Sequence, residues 1–296
     1  MTEATPSPPP SKLAGRLLVL AAAVMWSSGG YFAQTPVFGN WPQESRGLLL
    51  AFWRAVFAGL VLLPMVRRPR FSWRLVPLVL VFAAMNYTYL TALVLSEAAL
   101  AIWLQNTAPL WVFLVGVFVL RDPVTPRDWL LVLFVALGVG LIVAFEVQEQ
   151  APAGLVFGLL GGLTYAGVLL CLRQLRDFDS AWLVALAHLG TAVLLSPWAI
   201  QFGRLPDGNQ WLYLAGFGML QMGIPYLLFA RGLRILPGHE AAGIVLLEPI
   251  LMPVWVFLAY HAESTYQAPR WWTIVGGGLI LCGLLVRYTR LRSRDL

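Results

Sequence analysis

The chain has 296 residues, 59% of them hydrophobic and only 11% charged, with a mean hydropathy of +0.75. A soluble domain carries about 25% charged residues, so this composition excludes an ordinary soluble enzyme and a disordered chain. The 20 basic residues against 14 acidic ones give a net charge of +6 and a pI near 9.7; in so apolar a chain the excess marks the inner ends of membrane helices, and no nucleic-acid partner is expected.

Residues 1–12, with Pro6, Pro8, Pro9 and Pro10, read as a disordered cytoplasmic tail. Ten apolar runs follow, each close to the ~20 residues that a spanning helix needs. The first, 13–32, carries Lys12, Arg16 and Ala21-Ala22-Ala23 as a cleavable leader would. It continues through Trp26 and Tyr31 to Phe32, however, and reads as a retained helix. The second, 48–65, holds Arg54; the third, 75–95, holds Asn86, Tyr87, Tyr89 and Thr91. The fourth, 100–120, holds Trp103, Gln105, Asn106, Pro109 and Trp111, and the fifth is 129–145. The sixth, 154–172, bears Gly154, Gly158, Gly162 and Ala166 at a spacing of four, which favours close helix approach within the molecule, together with Tyr165. His188 lies in the seventh, 181–200; Gln221 and Tyr226 in the eighth, 211–231; Glu248 and Pro249 in the ninth, 241–260. The tenth, 272–286, leads into a basic tail, 288–296. Connections such as Pro42-Gln43-Glu44, Arg121-Asp122-Pro123 and Pro206-Asp207-Gly208 are short, so no extramembrane domain is expected.

If the N-terminus is cytoplasmic, the basic residues of every inner loop outnumber those outside, where only Arg46, Arg204 and Arg270 fall. That bias predicts ten spans with both termini inside. The halves also resemble each other. Ala58-Gly59-Leu60-Val61-Leu62-Leu63-Pro64 sits opposite Thr191-Ala192-Val193-Leu194-Leu195-Ser196-Pro197, and Asn106-Thr107-Ala108-Pro109-Leu110 opposite Leu246-Leu247-Glu248-Pro249-Ile250. The predicted fold is therefore an all-α integral membrane protein of two five-helix repeats, 13–146 and 153–287. Five is odd, so the second repeat is inverted in the membrane, with a central cavity near the midplane.

On Arg54, on the Pro109 and Glu248-Pro249 segments, and on the loop acids Asp122 and Glu263, the chain resembles the drug/metabolite transporter superfamily, in its ten-helix form with two EamA-type repeats. His261-Ala262-Glu263 departs from the apolar-Gly-Glu pattern usual there. As a whole the sequence is most similar to bacterial inner-membrane exporters of aromatic amino acids. The resemblance implies a cavity lined by helices of both halves, with the fifth and tenth helices peripheral.

Ionisable residues within a bilayer are costly, so each needs a reason. Glu248 reads as a substrate-amine contact or a proton-coupling carboxylate, or as a structural group held by Arg54. Arg54 can meet a substrate carboxylate with its fork, pair with Glu248, or snorkel to the interface. His188 reads as a titrating group or as a buried neutral one. Rings suit an apolar substrate and amides orient its polar end. The candidate substrate-binding set is thus Trp26, Tyr31, Asn86, Tyr87, Trp103, Gln105, Asn106, Tyr165, His188, Gln221, Tyr226 and Glu248, with Arg54, Pro109, Glu248 and Pro249 structural or coupling. Mid-helix Trp103 is the preferred cavity tryptophan, whereas Trp41, Trp73, Trp129, Trp211, Trp271 and Trp272 read as an interfacial belt.

There is no GxxxxGK[ST] and no HExxH; Cys171 and Cys282 sit in apolar runs; and His188, His239 and His261 are far apart. No ATP-driven step, metal, cofactor or enzymatic activity is expected. The predicted activity is alternating-access export of amino acids, aromatic or bulky and apolar, across a bacterial inner membrane. Facilitated diffusion is the first expectation for the energetics. The alternative is export of other small metabolites, such as purines, or of amphipathic drugs, with proton coupling. The expected partners are the small-molecule substrate and the lipid bilayer, with the protein a monomer.

Overall fold

The computed structural model describes residues 11–148, 152–202 and 205–288. Of the tail expected at 1–12, residues 1–10 lie outside the described residues, as do Arg204, Arg290, Arg292 and Arg294, while Ser11 caps a helix that already begins at Lys12.

Every regular element among the described residues is helical. Nine helical segments there are long and apolar enough to cross a membrane, from Lys12–Phe38 to Glu240–Tyr260, and a shorter apolar helix, Trp271–Arg287, follows. Leu80, Leu133, Ile200, Leu212 and Phe257 are each at least half exposed, a surface suited to lipid rather than water. The protein is a multi-pass membrane protein.

Three of the spans are single helices in the first half: α3 (Gln43–Leu62), α4 (Leu75–Leu95) and α7 (Pro126–Glu146). The helix α3 begins five residues before the apolar run, because Pro42 sets the entry and Glu44 suits the positive helix start. In the second half of the chain α8 (Pro152–Gln174) and α9 (Ser180–Gln201) are single-helix spans, and α14 (Trp271–Tyr288) contains the shorter apolar helix.

The remaining four spans are broken. The first divides at Ser28 into α1 (Lys12–Ser27) and α2 (Gly29–Ala33). The fourth divides at Asn106–Thr107 into α5 (Ala98–Gln105) and α6 (Ala108–Phe118). Pro109 has no N–H for the Gln105 carbonyl and its ring clashes with it, so the helix must end there and restart. The ninth divides at Leu246 into α12 (Gly238–Val245) and α13 (Leu247–Tyr260), where Pro249 stands in the same relation to Val245. The eighth, α10 (Gly208–Gly218) and α11 (Ile224–Gly232), is joined by a wide π-helical segment, Met219–Gly223. Irregular backbone at membrane depth is tolerated where it is buried in protein or lines a cavity.

The helix α4 packs against α3, α8 and α9. The stripe on α8 faces α5: an added Cβ at Gly158 would lie 2.6 Å from Leu104, and one at Gly162 would lie 2.5 Å from the Leu104 carbonyl oxygen. α7 and α14 pack on each other just as closely, with Gly138 set 2.5 Å from the Gly276 carbonyl by the same measure. The largest buried cluster joins Leu49, Leu50, Leu90, Leu93, Phe217 and Met252.

Candidate functional site

The buried arginine of α3 organises the polar interior. Arg54 is 0% exposed. Its Nη2 donates to Asn86 Oδ1 on α4, and its Nη1 to Gln221 Oε1 in the π segment at 3.5 Å. The guanidinium carbon lies 5.0 Å from the Phe217 ring centroid. Each amide is itself anchored: Asn86 Nδ2 donates to the Phe82 carbonyl at 3.0 Å, and Gln221 Nε2 to the Trp26 carbonyl at 3.0 Å. The π segment matters here because its widened turn carries Gln221 into the arginine's reach. Arg54 Nε, buried, has no partner among the described residues.

Around this network stand groups with spare capacity. His188 on α9 is fully buried, edge-on to Phe82 at 4.8 Å and 6.5 Å from the Tyr226 ring, and neither ring nitrogen has a partner among the described residues. Glu248, at the start of α13, is half-buried and within electrostatic range of Arg54, Tyr89 and Tyr226. Among the described residues it makes neither a hydrogen bond nor an ion pair. Trp26 packs on Tyr226 with centroids 5.2 Å apart.

Two cavities flank this cluster. One, of about 1020 Å³, opens at the arginine-rich end and has Tyr226 at its inner limit. The other, of about 610 Å³, lies at the opposite end between Gln34, Arg46, Tyr260 and Tyr266. A packed layer separates the cluster from this second cavity. An added Cβ at Gly30 would meet Val256 at 2.8 Å and Met252 at 3.0 Å, so only glycine allows that approach of α2 to α13. Tyr31 stacks on Tyr260 at 5.5 Å and accepts its hydroxyl at the Tyr31 carbonyl, 2.9 Å away. The geometry is a buried polar cluster whose Tyr226 borders the larger cavity on one side, with a ring-packed layer toward the other.

The structure thus gathers Trp26, Asn86, His188, Gln221, Tyr226 and Glu248 about Arg54. Tyr165, on α8, comes within electrostatic range of Tyr89. The others lie elsewhere. Tyr31 is in the seal, and Tyr87 turns to Phe157, edge-on at 5.7 Å. Trp103, only 7% exposed, packs with Leu131, Val135 and Ile280, its indole against Gly277 of α14. Asn106 Nδ2 donates to the Ile102 carbonyl at 2.9 Å, and Gln105 is half-buried beside it at the end of α5. Pro109 and Pro249 sit in the first turns of α6 and α13.

The candidate set omits Tyr89, although it stands among the polar and aromatic residues of the third run, and Phe217 is not in the sequence reading at all. Helical spacing was the available signal: Tyr89 is three residues after Asn86, Phe217 four before Gln221, so each pair shares a face. Tyr89 donates to Met252 Sδ at 3.5 Å.

Outside the spans, Asp122 takes a two-pronged contact from Arg173 at 2.7 and 3.2 Å, tying the end of α6 to α8, and that guanidinium holds the carboxyl below its usual range. Glu97, between α4 and α5, accepts the Arg270 N–H at 2.8 Å and the Thr273 hydroxyl. Burial pushes it up to about 7 against the pull of those two donors. Among the described residues there is no cluster of His, Cys, Asp and Glu able to hold a metal ion.

Apolar-surfaced helices interrupted around a buried polar cluster are the architecture of a small-molecule transporter. The profile of the EamA-like transporter family matches residues 13–144 and again 152–289, so the chain belongs to that family. It is similar to an uncharacterized transporter of Archaeoglobus fulgidus, 28% identical over 202 residues, covering 68% of this chain and 71% of that one. It is similar also to an uncharacterized transporter of Bacillus subtilis, 26% identical over 205 residues, covering 67% of this chain and 64% of that one. A solved crystal structure superposes with a TM-score of 0.65 at 20% identity, over 97% of this chain and 100% of the other, a likeness of fold.

Proposed function

We propose that this transporter exports amino acids, aromatic or bulky and apolar, from the cytoplasm across a bacterial inner membrane, by alternating access of two inverted five-helix repeats. The arginine-rich end is cytoplasmic on this reading, as the loop-charge rule requires. The observation that carries the reading is a buried arginine with a spare Nε within electrostatic range of a half-buried carboxylate that has no hydrogen bond among the described residues. A zwitterion answers both. Its carboxylate takes the Arg54 Nε and a His188 nitrogen, its ammonium takes Glu248, and its side chain lies against Trp26 and Tyr226. Neither charge then enters the membrane interior unpaired.

The test is flux of labelled tryptophan, phenylalanine, alanine and lysine in vesicles containing the purified protein, with and without a pH gradient. Selective flux of the aromatic pair, independent of the gradient, is expected. Absence of amino-acid flux in vesicles shown to hold folded protein overturns the reading, and dependence on the gradient replaces facilitated diffusion by proton coupling.

A further inference from the structure

The larger cavity has a rim that the pocket chemistry does not use. Arg67, Arg68, Arg70, Arg176, Arg231 and Arg234 all line it, and all are exposed. None of the six has an acidic side-chain partner among the described residues. The two acids of the same rim are already engaged. Asp177 pairs with Arg74 at 3.3 Å. Asp179 caps α9 through the Ala181 N–H at 2.9 Å and also accepts the backbone N–H groups of Arg67 and Arg68. The rim is therefore a ring of unneutralised guanidinium groups.

Inside the rim the walls turn apolar: Leu62, Leu175, Leu183 and Phe229 lead to Tyr226. Leu62 is eight residues beyond Arg54 on α3, about 12 Å along the helix axis, so the same helix runs from the rim wall to the buried guanidinium. A charged mouth over low-dielectric walls focuses its field inward and raises the local concentration of the opposite charge. An anion moving in meets the rim arginines first and Tyr226 at the inner limit, behind which lie the buried His188 and Arg54 Nε, each without a partner among the described residues. A cation meets repulsion at the rim.

We infer that this arginine-ringed cavity is an anion-selecting vestibule, through which the transporter takes an aromatic carboxylate head first and prefers a net monoanion to a cation of the same shape. The inference deepens the export reading, on which the rim faces the cytoplasm, and widens the substrate class from amino acids to aromatic carboxylates.

Isothermal titration of the full-length protein in neutral detergent with N-acetylphenylalanine, phenylalanine and trimethyl-phenethylammonium compares one ring bearing three charges. At about 20 mM ionic strength the N-acetylated anion is expected to bind at least roughly tenfold more tightly than the cation. The ratio should shrink at about 300 mM, where screening is strong. It should also shrink in a combined Arg68→Gln, Arg70→Gln, Arg176→Gln, Arg234→Gln variant; the salt series on the unaltered protein gives the answer even if that variant does not fold. A ratio near one, a ratio indifferent to salt, or no binding by any of the three overturns the inference. So does an anionic phospholipid that co-purifies with the protein and is lost from the variant while the ratio stays put, since the rim would then hold lipid headgroups. The two readings fail separately. Selective binding of the acetylated anion without phenylalanine flux removes the amino acid and keeps the vestibule; phenylalanine flux with a ratio near one does the reverse.

Discussion

The break between α5 and α6 and the break between α12 and α13 have the same local cause and opposite consequences. Each precedes a proline, Pro109 or Pro249, that cannot serve the carbonyl one turn back. In the first break the residues satisfy themselves: Asn106 Nδ2 bonds the Ile102 carbonyl at 2.9 Å and Thr107 Oγ1 the Leu104 carbonyl at 2.6 Å. Gly162 then packs onto the join. In the second break Leu246 and Leu247 stand where Asn106 and Thr107 do, and Glu248, opposite Ala108, is half-buried and without a hydrogen bond among the described residues. The first half spends its break on packing, and the second leaves a charge available. Breaks set by the same proline thus differ according to whether their polar atoms find partners in the protein.

Removal of Arg54, against which that spare carboxylate is set, should have the largest effect. Arg54→Ala strips two amides of a charged donor and is expected to cost about 3 kcal/mol of stability and at least roughly 100-fold in flux per folded molecule. Arg54→Lys should fail to restore flux, because a single ammonium cannot reproduce the fork. Vesicle flux with thermal unfolding of the same preparations checks both.

The comparison itself is tested by a pair of substitutions. Glu248→Gln has no hydrogen bond to lose, so its unfolding temperature should stay put while flux of a zwitterion falls about tenfold, the equivalent of ~1.4 kcal/mol. Asn106→Ala should do the opposite, losing about 1 kcal/mol of stability with flux per folded molecule unchanged. If Asn106→Ala impairs flux in stable protein, the two breaks are functionally alike and the contrast falls. Gly162→Ala would push a methyl to 2.5 Å from the Leu104 carbonyl oxygen, and about 1–3 kcal/mol of destabilisation should follow in a thermal melt.

The smallest effect concerns pH and the loop ahead of α5. Burial raises Glu97 to about 7 from an ordinary value of 4.5. Between those values the folded form holds more protons than the unfolded one, so stability falls as pH rises from about 4.5 to 7 and then levels off. Melting temperatures across that window should show the decline, and Glu97→Gln should flatten it.

The course of the chain was legible in the sequence wherever one residue's chemistry suffices. Run lengths give the spans, prolines give two of the breaks, and the polar residues to be accounted for stand out against 59% hydrophobic composition. Which of them meet was not legible. Arg54 reaches Asn86 across 32 residues and Gln221 across 167, by way of a π segment that no residue pattern announces. Trp103 and Trp26 look alike as mid-helix tryptophans, yet one is packed against Gly277 and the other touches Tyr226. A membrane helix is apolar nearly all round, so its periodicity does not say which face turns inward. The sequence by itself determined a multi-pass membrane protein with charges that had to be explained. Only the packing of helices against one another, which sets rotation and depth, decided that Asn106 is satisfied at home while Glu248, Arg54 and His188 keep capacity for something that enters.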